Sequence, residues 1–141
     1  MSWGGSDQDR RLAGVIRIGT VMALDPATAR ARVSFGGESE SDWLPFPSAR
    51  AGRTRVWSPP EVGEQVMVAA PGGESNQALI VASVFQDAFP APSADGASYE
   101  IHLGPSRIVM TEAAITIHSN GSEIVLDAAG IRATAPRIDL N

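Results

Sequence analysis

The last third of the chain repeats one short apolar unit, and that repeat restricts the fold more than any other feature. Each unit is an apolar residue, any residue, then a second apolar residue. The pairs are Ile101/Leu103, Ile108/Met110, Ile115/Ile117, Ile124/Leu126, Ile131/Ala133 and Ile138/Leu140. Their first members are spaced by 7, 7, 9, 7 and 7 residues, the long step holding Ser119-Asn120-Gly121-Ser122. Such a spacing invites a coiled coil, but a coiled-coil seam needs i, i+3 partners, whereas i, i+2 is the period of a strand. Gly104-Pro105 and Asn120-Gly121 also interrupt any continuous helix. The region therefore reads as very short strands joined by tight turns, each turning two apolar side chains to one face.

Residues 98–141 are too few to fold alone with ease, and no cysteine is present to staple them. A single ribbon of such strands would expose one long apolar side and two unpaired edges. The simplest remedy is self-association about an axis, with three copies turning their Ile faces inward as a triangular β-prism. The competing arrangement is an ordinary meander packed on the preceding domain. The repeat runs to the last residue without a cap, which marks Leu140 and Asn141 as the expected docking point for another protein.

Before the repeat, composition favours a turn-rich β protein, with 14 Gly and 10 Pro against only 19% charged residues. Residues 1–12 read as an N-terminal arm, 13–90 as a β-barrel domain, 91–97 as a linker and 98–141 as the repeat. Val15–Val21 and Ala29–Phe35 form a plausible hairpin about the turn Asp25-Pro26-Ala27-Thr28. Glu64–Ala70 and Ala78–Phe85 are further strands. Pro45 and Pro47 argue against a central strand near Trp43, and the Trp and Phe residues of this segment are expected in the core. The Pro-rich stretch Phe89–Gly96 marks the domain boundary.

Several function classes are excluded or disfavoured. With no cysteine there is no disulfide, thiol nucleophile or thiolate metal site. The N-terminus lacks the apolar core of a signal peptide, and no apolar run approaches the ~20 residues that span a bilayer.

The segment Asp42–Gly52 with Arg55–Gly73 resembles the phage baseplate assembly protein V family, the central tail spikes of contractile tails. The resemblance rests on Trp43-Leu44-Pro45, on Arg50-Ala51-Gly52, and on Trp57 with Pro59-Pro60-Glu61-Val62-Gly63-Glu64-Gln65-Val66. Pro71-Gly72-Gly73 follows in the family's order, and the match extends through Gln77–Ser93. It implies an all-β fold: an N-terminal oligonucleotide/oligosaccharide-binding (OB)-type barrel followed by a trimeric, intertwined β-helix. It also implies a non-enzymatic role, without cofactor, in the virion tail baseplate or an equivalent contractile particle assembled in the bacterial cytoplasm. There the homotrimer closes the tail tube, meets tube or hub proteins at its barrel end, and pierces the host envelope on sheath contraction. The valine-glycine repeat spikes of type VI secretion share the architecture.

Some longer members end in a His-x-His apex that holds iron, a motif absent here, which points to a separate tip protein. His102 and His118 each neighbour an inward Ile, so alternation sends both outward; His118 is the weak metal candidate and none is expected to bind.

Two other functions, nucleic-acid binding and cell-wall hydrolysis, find little support in the residues. An OB-type barrel suggests nucleic-acid binding, yet residues 1–90 carry 8 Arg against 10 acidic residues, and only Arg50, Arg53 and Arg55 with Trp43 and Trp57 form a basic aromatic cluster. A spike-associated cell-wall hydrolase would need paired carboxylates in a cleft. Glu61 and Glu64 lie beside a Pro-Pro turn and are expected to shape a loop instead. Ser119-Asn120-Gly121 is a turn and not a nucleophile elbow, and Pro71-Gly72-Gly73 lacks the Lys-Ser/Thr of a phosphate loop.

Overall fold

The computed structural model describes residues 8, 9 and 15–141. The expected arm over residues 1–12 lies outside the described residues, apart from Gln8 and Asp9. The chain divides into two compact units, Met1–Pro90 and Ala91–Asn141.

The first unit is one antiparallel sheet. Its strands are β1 (Ile16–Asp25), β2 (Arg30–Ser34), β3 (Leu44–Pro45), β4 (Gln65–Ala69) and β5 (Leu79–Val84), in the order β3-β2-β1-β4-β5. The hairpin β1–β2 closes through Pro26–Ala29, where the Thr28 hydroxyl donates to Asp25 at 2.8 Å and Ala29 takes φ 55°. Register shifts between Val21 and Ala23 in β1, and between Met67 and Val68 in β4, bend the sheet into an OB-like half-barrel. The edge strands β3 and β5 come close together as a result.

Alternation supplies the core. Val21, Ala31, Val33, Leu44, Val66, Val68 and Ile80 are buried on the concave side, with Leu24, Phe35 and Phe46 packed against them. Pro45 sits in a two-residue edge strand paired with Arg30, where its missing N–H costs no central ladder bond. The aromatic expectation fails in part. Phe46 packs on the core, but Trp43 is 39% exposed and Trp57 61%. The small barrel interior is already filled by aliphatic side chains. Trp57 rests instead on Phe46, with ring centroids 5.6 Å apart.

The second unit is a separate five-stranded antiparallel meander. β6 (Tyr99–Leu103), β7 (Ser106–Met110), β8 (Ala114–Ser119), β9 (Ser122–Asp127) and β10 (Gly130–Thr134) pair in chain order. Its tight turns use Gly104 (φ 53°) and Asn120-Gly121 (φ 51° and 89°). Successive strands of the same chain hydrogen-bond to each other. The sixth apolar pair makes no strand: Ile138 and Leu140 follow β10 without ladder partners. Pro136 removes an N–H at the start of that segment, and Arg137 pairs with Asp139 at 2.8 Å within it.

Candidate functional site

The register of the meander gathers the repeat onto one face. Cross-strand partners in an antiparallel ladder share a side. Ile101, Ile108, Ile117, Ile124 and Ala133 are successive partners and form a central row. Tyr99, Met110, Ile115, Leu126 and Ile131 form a second row on the same face. On the other flank run Leu103, Ser106, Ser119 and Ser122.

Two of these placements escaped sequence reading. Leu103 stands with the serines and not with Met110, while Tyr99 takes the place in the bulky row. Writing the repeat as pairs in chain order leaves the cross-strand register open. Antiparallel pairing sets the first member of one pair against the second member of the next, as in Ile108 opposite Ile117. The turn residues carried that signal.

The face is uncovered. Ile101 is 55% exposed, Leu103 73% and Ile131 74%, and no side chain in residues 91–141 is buried. Beyond the strands, Ile138, Leu140 and Asn141 are exposed as well.

The opposite face is mainly polar, with Val109 and Val125 among its residues, and several of its charged groups are paired. One row there runs His102, Arg107, His118, Glu123 and Thr134; the other runs Glu100, Val109, Thr116, Val125 and Arg132. Both histidines therefore lie opposite the Ile rows. Arg132 holds Asp127 through two contacts of 2.6 and 3.1 Å, which keeps the Asp127 carboxyl below its ordinary range. Glu100 is held down at about 2 by hydrogen bonds from Ser98, His102 and Ser93. His118 stands 3.9 Å from Glu123. Among the described residues no three metal-ligating side chains cluster.

In the first unit the motif residues build the barrel. Val21 N–H donates to the Glu64 carbonyl and Gly63 N–H to the Val21 carbonyl, so the turn after Pro59 and Pro60 pins β1 at its irregularity. Gly63 has φ 95°, and a side chain there would meet Phe89. Glu64 is spent on this turn: it accepts from the Glu61 N–H at 3.2 Å and from the Ser83 hydroxyl. Pro71-Gly72-Gly73 forms the bend after β4, with both glycines at positive φ. Arg50, Gly52, Arg53 and Arg55 lie in an exposed loop closed by a bridge between Ala51 and Arg55. Beside it Phe46, Pro47, Val56 and Trp57 line a groove of about 390 Å³. Among the described residues no helix is long and apolar enough to cross a membrane.

Residues 17–85 match the family described as the type VI secretion system/phage-baseplate injector OB domain. Over 130 residues the chain is 32% identical to the "Spike protein" of Escherichia phage P2. That alignment takes in 90% of this chain and 61% of the relative, so the chain spans about three-fifths of the relative's length.

Proposed function

We propose, for a chain that belongs to the phage-baseplate spike family and carries its injector OB domain at residues 17–85, the role of a central spike subunit of a contractile tail. Three copies turn the Ile rows of residues 98–141 toward a common axis as a β-prism. The barrels form the collar that meets tube or hub proteins, with the Arg50/Arg53/Arg55 loop and Trp57 as the contact. Arg forks and a half-covered aromatic are the residue types that anchor protein interfaces. The prism closes the tube and is driven through the host envelope when the sheath contracts. The role is mechanical and needs neither catalytic group nor cofactor.

One observation carries this reading. A sheet with two apolar rows on one face and a mainly polar face opposite has no buried side chain of its own. Burying an Ile stabilises by roughly 1.5–3 kcal/mol, and this face leaves that contribution unrealised in a single chain. Symmetric closure about three copies realises it without any second protein. Light scattering on the purified chain tests it. The expected mass is three times the 14.8 kDa of one chain; a monomer at micromolar concentration would reject the prism.

A further inference from the structure

Three strands of the meander carry a serine at one end of the apolar face and a large apolar residue at the other. These are Ser106 and Met110 in β7, Ser119 and Ile115 in β8, and Ser122 and Leu126 in β9. The register stacks them into two flanking rows, so the face has one small hydroxyl edge and one bulky edge. The serine edge also meets part of its own hydrogen-bonding need. Ser106 Oγ and Ser119 Oγ are 2.6 Å apart, and Asn120 Nδ2 donates to Ser119 Oγ at 2.9 Å. Hydroxyls bonded within the row can be covered by apolar atoms without losing their partners.

We infer that the bulky edge of each copy packs on the serine edge of the next, a contact that rests on the trimeric reading above. A closed three-fold ring needs a heterologous contact, in which every copy supplies two different surfaces. Two like edges meeting would make a two-fold pair and stop at a dimer. This face has two unlike edges, and large side chains against small ones are what dense packing requires. Rotation about the axis leaves height unchanged, so contacting residues come from the same strand. Ile115 of one copy therefore faces Ser119 of the next, and Leu126 faces Ser122.

The chain has no cysteine, which makes the test clean. Within one chain, positions 115 and 119 are four residues apart on a strand, about 13 Å. A disulfide needs Cα atoms within about 7 Å. The double variant Ile115→Cys/Ser119→Cys can then cross-link only between copies. After mild oxidation, a non-reducing gel should show a band at three times the chain mass, because three disulfides close the ring. Ile117→Cys, in the central row, should stop at dimers, since three thiols around an axis make one disulfide. Leu126→Cys/Ser122→Cys repeats the test on β9, should the first pair disturb folding. Light scattering under reducing conditions separates the two claims. A trimer whose edge pairs yield only dimers or single chains overturns the edge contact and leaves the trimer standing. A wild-type monomer overturns both.

Discussion

Gly19 and Val33 approach so closely that a Cβ on Gly19 would stand 2.5 Å from Val33 Cγ1. The same Cβ would be 2.7 Å from the Ser34 carbonyl oxygen, which belongs to the backbone and cannot rotate away. Gly19 has an ordinary negative φ, so space and not conformation excludes a side chain here. Overpacking of this kind costs about 1–3 kcal/mol. Gly19→Ala should lower the thermal midpoint of the barrel by at least about 4 °C. An unchanged midpoint would show that β1 and β2 are not as close as described.

The two units should respond to the same substitution in different ways. Ile80 is 1% exposed inside the barrel, so Ile80→Ala should destabilise that unit by roughly 2–5 kcal/mol. The loss should be the same at any protein concentration. Ile117 is 43% exposed in one chain and is covered only by neighbouring copies in the proposed prism. Ile117→Ala should therefore act through assembly, with an unfolding midpoint that rises with concentration. Denaturation of both variants over a hundredfold concentration range checks this. A concentration-independent Ile117→Ala midpoint would place its contacts within one chain.

Part of the fold was legible in the sequence. The i, i+2 pairs fix strands and a single apolar face, because side chains alternate along a strand whatever surrounds it. The β1–β2 hairpin was legible from Asp25-Pro26 between alternating runs. Register was harder to read. The row positions of Leu103 and Tyr99 were not legible, because cross-strand partners depend on where each turn is centred, which one strand alone does not encode. The fate of Trp57 was also hidden. A large aromatic suits a core or an interface equally, and only the filled barrel interior decides that it stays outside. The serine edge went unnoticed because serine carries no apolar signal, although it lies on the apolar face.

Acid should act on the second unit through Glu100. Hydrogen bonds from Ser98, His102 and Ser93 hold its carboxyl at about 2, from an ordinary 4.5. A depressed carboxyl contributes stability that is fully present above pH 4.5 and is lost as pH falls through about 2. The carboxyl carbon of Glu100, followed by NMR in the intact protein, should titrate with a midpoint near 2. Glu100→Gln should flatten the dependence of stability on pH across that window. A midpoint near 4.5 would mean that the Ser98 contact does not persist in solution.

The sharpest test of the shared axis is a charge in the central row. Ile124 lies opposite Ile117 on one side and Ala133 on the other, in the middle of the uncovered face. In a single chain it is 42% exposed, so an aspartate there would stay hydrated and the ladder around it would tolerate the change. Three copies about one axis would bring three such carboxylates together, away from water. The effective penalty is several kcal/mol for each buried ion, with mutual repulsion added. Ile124→Asp should therefore leave the barrel folded and the chain monomeric, and abolish any infectivity or killing that depends on the spike. Ile124→Asn, close in size but uncharged, should retain part of the assembly, which separates charge from shape. Light scattering and circular dichroism on both variants decide the matter. A heat-stable trimer of the aspartate variant would remove Ile124 from the axis, and with it the assignment of the central row.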